Sequence, residues 1–351
     1  MAKPQIFSRK LINWYQKNAR DLPWRRTHDP YKIWISEIML QQTTVTTVIP
    51  YYERWIKEFP KIDYVARAPL RKILKFWQGL GYYSRAKNIH KTARIIVKKY
   101  NGGVPSNPQD LEGLPGFGPY TIGAVLSIAF DKRHPIVDAN VRRVIMRQMA
   151  LETYADNSQD KKILDFLNRV MPPKRNNIFN QALMELGALV CRSREPICIF
   201  CPVRNSCLAY GKSIQEIIPW PKKKILKDIN AVIALIKCRG RYFIQKRASV
   251  GLLADLWEFP GGKAGEGEPI EKALYREIKE ELGTNIKSAR YLFNLTHFYT
   301  QFRVKLHVWS CEVENSPKVD KTHRWVSLLN INQYPMPSGS VKILDILNKL
   351  D

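Results

Sequence analysis

The chain has 351 residues, enough for two ordinary domains that each bury a core of their own. Its 57 Lys and Arg residues against 31 Asp and Glu residues give a formal net charge of +26, which favours a polyanionic partner and makes nucleic acid the first candidate. No apolar run is long enough to span a bilayer and the amino terminus lacks the apolar core of a secretory signal, so the sequence predicts a soluble, cytoplasmic protein with no membrane partner.

Residues 7 to 211 form the first predicted region. Apolar residues recur there at three- and four-residue spacing between breaks made by Pro, Gly and Asn, which is the pattern of successive amphipathic helices. Few segments in this region alternate as strands do. We therefore expect an all-α domain over residues 1–218, followed by a linker over residues 219–229.

Glu37 and Gln41 lie one turn apart within an early predicted helix. Both are on a different side from a helical stripe that consists of Trp34, Ile35, Ile38, Met39 and Gln42. Their side of the helix is available to a ligand, so Glu37 is a candidate acid or base. The alternative is an ordinary solvated glutamate on the surface.

A short turn, Leu114–Tyr120, joins two predicted helices and contains Gly116 and Gly118. Glycines let backbone amides approach a phosphate without a Cβ in the way, so the segment is a candidate helix-hairpin-helix, although a plain interhelical turn has the same composition. Downstream, Asp138 begins another predicted helix. It is a candidate N-cap, a candidate catalytic carboxylate, or both.

Four of the six cysteines, Cys191, Cys198, Cys201 and Cys207, have the spacing C-x6-C-x2-C-x5-C. In a reducing compartment this cluster is better explained by metal binding than by disulfides. Four thiolates suit either a 4Fe-4S cluster or tetrahedral zinc. Structural zinc sites usually come as two short C-x2-4-C knuckles, and only Cys198 and Cys201 form one here, so the spacing argues against zinc.

The helical pattern stops near Pro219–Lys224, where two prolines and a lysine run predict a stiff linker. Beyond it, residues 231–246 have the composition of two strands around a turn. Residues 269–282 are helical in pattern, and residues 292–314 are strand-like again. We therefore expect a mixed α+β domain over residues 230–351.

This second domain contains a Nudix box, G-x5-E-x7-R-E-U-x-E-E-x-G-U, which departs from the pattern at Thr284. Glu277, Glu280 and Glu281 fall at i, i+3 and i+4, so a helix presents them on one face, where they suit Mg²⁺ together with substrate phosphates. An acidic, solvated helix face has the same charge pattern. The other charged or glycine positions of the box are Gly262, Glu268, Arg276 and Gly283.

Over nearly its whole length the chain resembles the MutY-type adenine DNA glycosylases of the endonuclease III superfamily. The segments that carry the resemblance are Asp21–Arg25, Trp34–Thr43, Gly79–Arg85, the turn Leu114–Tyr120 and the cysteine loop 191–207. The resemblance implies a helix-hairpin-helix glycosylase domain with a 4Fe-4S loop, followed by a MutT-like Nudix domain. It also implies a base-excision enzyme that acts on double-stranded DNA and removes adenine mispaired with 8-oxoguanine or guanine, and we expect a monomer.

The resemblance assigns catalytic roles to four residues. It implies that Glu37 protonates the departing adenine, that Asp138 stabilises an oxocarbenium-like sugar, and that Tyr120 and Asn140 support the site. The roles of Glu37 and Asp138 match the needs of the reaction, because hydrolysis of a purine N-glycosidic bond requires a proton donor and an anion in different environments. Tyr120 occupies the position where bifunctional relatives carry a Schiff-base lysine, and a phenol forms no imine, so we expect a monofunctional enzyme.

The resemblance also implies a set of contacts with DNA. Gln42 and Tyr82 are expected to wedge into the duplex while the adenine is flipped out, because the glycosidic bond is shielded inside the base stack. Trp24, Arg25 and Gln181 are expected near the everted base.

The chain departs from the family pattern in its second domain. The family's Phe-Ser-His contact segment corresponds to Tyr299, Thr300 and Gln301, which we expect to read the opposite base. The family usually lacks the Nudix glutamates, whereas they are present here, so we hypothesise that the domain retains Mg²⁺-dependent hydrolysis of a nucleotide pyrophosphate. Two rival functions remain: a nucleotide pyrophosphohydrolase tethered to DNA, and a non-catalytic module that binds lesions.

Overall fold

The computed structural model describes residues 4–221, 226–299 and 301–350, without the side chains of Pro4 and Leu350. Helices occupy the described chain up to Gly211 and strands occupy it from Lys227, which confirms the prediction of a helical region followed by a mixed α+β region. In the described ranges, no helix is both long enough and apolar enough to cross a membrane. Contacts divide the chain into two compact units, one of residues 1–67 with 88–223 and one of residues 68–87 with 224–351.

The helices of the amino-terminal part follow one another with short connections. They are α1 Pro4–Asn18, α2 Pro30–Leu40, α3 Val45–Glu58, α4 Ile62–Arg67, α5 Leu70–Trp77, α6 Ser84–Tyr100, α7 Pro108–Glu112, α8 Pro119–Ala124, α9 Ala139–Met149, α10 Asp160–Val170, α11 Asn176–Leu189 and α12 Leu208–Gly211. A single π-helical turn, Val125–Ala129, continues from α8. Of these helices, α5 and the first turn of α6 belong to the second unit.

The core of the first unit is built around α11. Phe179, Leu183 and Leu186 of this helix are fully buried and belong to one cluster with Val141 and Ile145 of α9. Each such side chain contributes roughly 2 kcal/mol of hydrophobic free energy on burial. The packing therefore holds α9 and α11 in fixed positions, and these two helices carry much of the candidate site.

Helix α2 is buried along most of its length, from Tyr31 to Met39. Asp29 caps its first turn, because its carboxylate accepts a hydrogen bond of 2.9 Å from the Tyr31 amide. The helix ends at Leu40, so the predicted placement of Gln42 on the α2 stripe is wrong. The chain must reverse within a few residues to begin α3, and Gln42 makes that reversal with a left-handed φ of 58°.

The second unit is built on a mixed six-stranded sheet. Its elements are β1 Lys227–Cys238, β2 Arg241–Lys246, β3 Trp257–Glu258, α13 Ile270–Leu282, β4 Ile286–Tyr299, β5 Phe302–Val313, β6 His323–Ser327, α14 Leu328–Ile331 and α15 Ser338–Leu350. The strand order is β3-β2-β1-β5-β4, and β6 pairs with β2. The β1 and β5 strands run parallel, with Ile233 opposite Val308, and the other pairs are antiparallel.

The central strand β1 is buried on both faces. Val232 and Ala234 belong to a cluster with α13, whereas the alternate residues Ile233 and Leu235 belong to a cluster with α15. Because α13 turns its apolar side towards the sheet, its acidic side is left for other contacts.

Residues 68–87 contact the rest of the second unit through a hydrogen bond and an ion pair. The Tyr83 hydroxyl donates a hydrogen bond of 3.2 Å to the Met336 carbonyl, and Lys87 forms an ion pair of 2.5 Å with Asp255. Nothing in the sequence pattern indicated this association. The division into domains at residues 1–218, 219–229 and 230–351 stays a prediction, and part of that linker, residues 222–225, lies outside the described residues.

Candidate active site

A cavity of about 950 Å³ opens in the first unit. Its walls come from α2, α8, the start of α9, α11 and a helical turn at Pro23–Arg25. The structure thus gathers residues that are far apart in the sequence. The predicted site residues that line this cavity are Trp24, Arg25, Glu37, Gln42, Tyr120, Asp138, Asn140 and Gln181.

Glu37 lies on α2 with its side chain turned into the cavity wall. The residue is only 3% exposed, which excludes the alternative of a solvated surface glutamate. The Tyr120 hydroxyl donates a hydrogen bond of 2.5 Å to Glu37 Oε2. Burial raises the pKa of Glu37 to about 7, while the bond from Tyr120 and the charge of Arg25 act in the opposite direction. Near neutral pH this carboxyl group is therefore present in its protonated form to a large extent.

Asp138 is the N-cap of α9 and also faces the cavity, so both of its predicted roles are compatible with its position. Its Oδ1 accepts a hydrogen bond of 2.6 Å from the Val141 amide, and its Oδ2 accepts one of 3.0 Å from the Asn140 side chain. Burial raises the pKa of Asp138, whereas these two donors and the charge of Arg143 lower it. The donors thus stabilise the ionised carboxylate that burial disfavours.

The two carboxyl groups therefore have different surroundings within one cavity. Glu37 is almost fully buried and accepts a hydrogen bond from a phenol. Asp138 lies at the N-terminus of a helix and accepts a hydrogen bond from a backbone amide. Such a pair can place a proton donor and an anion around one ligand, which is the arrangement required for acid-assisted bond cleavage.

Glu185 is a buried carboxylate of this cavity that the sequence analysis missed. Its Oε2 accepts hydrogen bonds of 2.8 Å from both Arg20 and Arg25, and its Oε1 accepts the Arg20 amide at 2.9 Å. Burial by itself would raise the pKa of Glu185, but the bonds from Arg20 and Arg25 outweigh it and lower the pKa to about 2. The available signal was its isolation, because Glu185 is the single charged residue of α11.

The same region holds the predicted base-binding residues in place. The guanidinium of Arg25 lies 5.4 Å from the centre of the Tyr15 ring, and the Tyr15 hydroxyl donates a hydrogen bond of 3.3 Å to Gln181 Oε1. Trp24 is buried and packs edge to face on Tyr52 at 5.4 Å. Arg25, Gln181 and Trp24 are thus fixed by their neighbours, whether or not a ligand is bound.

The predicted wedge residues share an unusual backbone conformation. Gln42, in the first unit, has φ of 58°, and Tyr82, in the second unit, has φ of 46°. Residues other than glycine adopt such left-handed conformations at a cost, and they concentrate at functional sites. The Tyr82 side chain is 40% exposed, so an aromatic ring is presented to solvent.

The predicted hairpin turn connects α7 to α8. Gly116 has φ of 83°, and a Cβ at this position would lie 3.0 Å from the Cβ of Asn88, so glycine is required for two reasons. Gly118 is the N-cap of α8 and has no side chain to occupy the first backbone amides. The geometry is compatible with the predicted phosphate contact, which stays a prediction.

A second cavity of the first unit is lined by all four clustered cysteines. No disulfide joins the six cysteines, all of which lie in the described residues. Burial raises the pKa of Cys201 to about 12, and it also raises the pKa of Cys198 and of Cys207. Within the described residues, no three or more His, Cys, Asp or Glu side chains gather closely enough to hold a metal ion. Metal binding by the four clustered cysteines stays a prediction.

Hydrogen bonds connect the cysteine loop to Asp138. Arg143 donates to the Cys191 carbonyl at 2.8 Å and to Asn140 Oδ1 at 2.9 Å, and Asn140 in turn donates to Asp138. The position of the loop thus contributes to the orientation of the Asp138 carboxylate.

In the second unit, the Nudix glutamates lie on α13 with Arg276 among them. Arg276 donates hydrogen bonds to Glu268 at 2.9 Å, to Glu277 at 2.8 Å and to Glu280 at 3.1 Å. Glu281 accepts a hydrogen bond of 2.9 Å from the Gly261 amide. The box therefore folds as a connected group, with its carboxylates held by protein donors.

The predicted opposite-base segment lies at the turn between β4 and β5. Tyr299 ends β4, and its ring packs edge to face on His297 at 4.6 Å. Gln301 is exposed, and its carbonyl accepts a hydrogen bond of 2.9 Å from the Lys227 amide. Thr300 lies outside the described residues, and the DNA-reading role of all three residues stays a prediction.

Comparison with known proteins identifies two families in the chain. Residues 35–173 match the HhH-GPD superfamily of base excision DNA repair proteins, and residues 231–345 match the NUDIX domain. An adenine DNA glycosylase of Buchnera aphidicola subsp. Schizaphis graminum is 34% identical, with 97% of this chain and 98% of that protein covered. An adenine DNA glycosylase of Rattus norvegicus is 32% identical over 93% of this chain and 75% of its own length.

Among solved structures, one described as a thermostable thymine-DNA glycosylase is 32% identical, with a TM-score of 0.54. The match covers 60% of this chain and 97% of that one. The helical unit and its cavity therefore have relatives both in sequence and in fold.

The buried carboxyl of Glu37 predicts a pH-dependent stability. Because its pKa is raised from 4.5 to about 7 in the folded chain, its contribution is complete below about pH 4.5 and is lost as the pH rises through about 7. Glu37→Gln has no such titration, so it should gain up to about 3 kcal/mol relative to the parent between about pH 5 and about pH 8. Urea unfolding of both chains at the two pH values measures this, with Glu112→Gln on exposed α7 as the control. An equal difference at both pH values would contradict the prediction.

The ion pairs of Glu185 predict a large loss of stability on its neutralisation. Glu185→Gln leaves the part-buried Arg25 without its carboxylate, which should cost about 3 kcal/mol in the free energy of unfolding. Asp21→Asn breaks an exposed pair with Arg26 and should change stability little. Urea unfolding of the two variants at one pH tests this, and equal effects would show that Glu185 is not a structural anchor.

Proposed function

The chain belongs to the adenine DNA glycosylase family, and from this premise we propose that it hydrolyses the N-glycosidic bond of adenine mispaired with 8-oxoguanine or guanine in double-stranded DNA. It is a DNA glycosylase of base excision repair, with DNA as its partner. One observation carries the proposal: a buried Glu37 with a raised pKa shares a cavity with a hydrogen-bonded Asp138.

The cavity suits a nucleotide that has left the duplex. Enzymes that act on a base inside DNA must first flip it out, which costs about a few kcal/mol and less at a mispair. A volume of about 950 Å³ accommodates a base with its sugar. Arg25, Gln181 and Trp24 supply donors, an amide and an aromatic surface around the base. Their pre-existing contacts reduce the entropy lost on binding.

Glu37 acts as the proton donor in this proposal. Its proton passes to a ring nitrogen of the adenine, which allows the base to accept the electron pair of the breaking C–N bond and to leave as neutral adenine. The raised pKa keeps the proton available at neutral pH. Tyr120 orients the carboxyl through its hydrogen bond to Oε2.

Asp138 stabilises the positive charge that develops on the sugar as the bond breaks. Its carboxylate is oriented by Val141 and Asn140, so no reorganisation is required when the charge appears. Water then adds to the anomeric carbon and loses a proton to a carboxylate, which leaves an abasic site. Tyr120 cannot form an imine with the sugar, so the proposed enzyme is monofunctional.

We propose that the cysteine loop binds a 4Fe-4S cluster. The donor set fits, because Cys191, Cys198, Cys201 and Cys207 line one cavity and four thiolates are the ligands that such a cluster takes. Such a cluster, when bound, ties the loop together and supplies a one-electron redox centre.

Recognition of the opposite base is proposed for the turn that contains Tyr299, Thr300 and Gln301. The exposed Gln301 side chain offers both a donor and an acceptor, and the net charge of +26 favours salt-sensitive binding to the DNA backbone. Tyr82 and Gln42 are proposed to fill the space that the everted base leaves, and we propose that the protein acts as a monomer.

Single-turnover excision tests this function. Duplexes with adenine opposite 8-oxoguanine or guanine should release free adenine faster than duplexes with adenine opposite cytosine or thymine, and the product should be an abasic site that traps no protein under borohydride. The rate should fall as the pH rises above about 7, because Glu37 then loses its proton. Glu37→Gln should lower the rate by about 100-fold or more.

The same assay separates the proposal from a non-catalytic module. Under that rival, Glu37→Gln binds lesion DNA normally and no adenine appears with any duplex, parent chain included. Equal rates for all four opposite bases would instead leave excision intact and remove the proposed role of residues 299–301.

We also propose a second activity, in which α13 binds Mg²⁺ and hydrolyses the phosphoanhydride bond of a nucleoside triphosphate. The favouring observation is that the charged positions of the box are present and connected: Arg276 donates hydrogen bonds to Glu268, Glu277 and Glu280. Carboxylates suit a hard cation. Since Arg276 already bonds Glu277 and Glu280, the cation must displace it, and we therefore expect weak Mg²⁺ binding.

Pyrophosphate release by the full chain tests this activity. A panel of ordinary and oxidised nucleoside triphosphates should give Mg²⁺-dependent release, and Glu280→Gln should lower it by about 100-fold. Glu271→Gln changes an exposed residue of the same helix at a variable position of the box and serves as the control. Adenine excision should be unchanged in Glu280→Gln. No release from any nucleotide would remove the second activity and leave the glycosylase untouched.

A further inference from the structure

Arg147 is a fully buried cation on the wall of the cysteine cavity. The residue lies on α9 and is 1% exposed, and it ranks among the largest fully buried side chains of the described chain. Arginine is almost never buried to this extent unless a negative group pairs with it. The negative group that pairs with Arg147 therefore indicates what the cavity binds.

The groups that Arg147 contacts are neutral. It donates hydrogen bonds to three carbonyl oxygens, those of Ile218 at 2.7 Å, Arg192 at 2.6 Å and Ser193 at 3.3 Å. A further N–H group donates to Cys191 Sγ at 3.3 Å. None of the ion pairs in the described residues includes Arg147. Its donors are thus satisfied, whereas its charge is not.

The side chains that line the cavity carry no carboxylate to pair with Arg147. They include a second arginine, Arg204, and no Asp or Glu. Glu216 lies outside this lining; its charge acts on Cys198, but none of the ion pairs in the described residues joins it to Arg147. A buried charge without a counter-charge costs several kcal/mol, and carbonyl dipoles offset only part of it. The cavity is therefore built for an anionic occupant, and the four thiols are the groups at hand that become anionic on binding a metal centre.

We propose that Arg147 is the counter-ion of the metal–thiolate centre and raises its reduction potential. The inference rests on the proposed 4Fe-4S cofactor. Four thiolates around a cluster core of charge two plus give a dianion, and reduction adds one more negative charge beside the guanidinium. The cation stabilises the reduced form more than the oxidised form, and the hydrogen bond to Cys191 Sγ acts in the same direction.

Gln148, the next residue on α9, provides a control that distinguishes the effect of the Arg147 charge from the effect of attaching the cysteine loop. It is buried and lines the same cavity, and it donates to the Val203 carbonyl at 3.3 Å while accepting a hydrogen bond from Ser206 at 3.1 Å. Gln148 thus holds the cysteine loop without carrying charge. Gln148→Leu removes loop contacts alone, and Arg147→Lys keeps the charge while losing most of the forked contacts.

The test uses the full chain with Arg147→Gln, Arg147→Lys and Gln148→Leu. Iron and sulfide content establish loading first, and a spectroelectrochemical titration of the visible iron–sulfur absorbance then gives the midpoint potential. We expect Arg147→Gln to shift the potential to a lower value, while Arg147→Lys and Gln148→Leu stay close to the parent. Equal potentials in all four chains, or an equal shift in Gln148→Leu, would overturn the inference.

The iron and sulfide content of the parent and of each variant distinguishes the remaining outcomes. Loss of iron in Arg147→Gln with retention in Arg147→Lys and Gln148→Leu supports the requirement for charge, whereas loss in all three variants assigns Arg147 a loop-holding role and overturns the proposal. A parent chain without iron and sulfide removes the cofactor and the inference together. A loaded parent with an unshifted Arg147→Gln removes the inference alone.

Discussion

Burial of the Glu37 carboxyl group is the constraint on which the candidate site depends. An exposed glutamate is ionised at neutral pH and donates no proton, whereas enclosure by α2 and its neighbours keeps this one protonated. The same enclosure requires a hydrogen-bond partner, which Tyr120 supplies from the helix after the hairpin. The hairpin turn therefore contributes to the chemistry by placing a phenol as well as by presenting backbone amides.

Helices α9 and α11 form the frame that relates the two cavities of the first unit. The start of α9 carries Asp138 at one cavity, and a later turn carries Arg147 at the other. Gly187 of α11 allows this close packing, because a Cβ there would lie 2.6 Å from the Cβ of Asn140. A cofactor in the cysteine loop and a nucleotide beside Asp138 would thus act on opposite ends of one rigid pair of helices.

The second unit combines a Nudix box that keeps all its glutamates with residues from an earlier part of the chain. Its carboxylates accept hydrogen bonds from Arg276 and from the Gly261 amide. The segment 68–87, which carries the exposed Tyr82, packs with this unit through Tyr83 and Lys87. A proposed wedge residue and the proposed opposite-base turn therefore belong to the same compact unit.

The sequence by itself determined the two-part architecture and the family, because helical and strand periodicity and short motifs are local properties of the chain. The structure brings Glu37, Tyr120, Asp138 and Asn140 to one cavity, and their roles stay proposals. The sequence also identified Asp138 as an N-cap, which depends on a few neighbouring residues. It misplaced Gln42, since a helix end is decided by what the next helix packs against. Glu185 and Arg147 escaped notice because their burial arises only in the folded chain: Glu185 is marked in the sequence only by its isolation on α11, and Arg147 is one of three arginines on α9. The association of residues 68–87 with the second unit has no local signal. The raised pKa of Glu37, the charge pairing of Glu185 and the uncompensated charge of Arg147 were decided only by the tertiary structure, since burial arises when segments distant in sequence pack together.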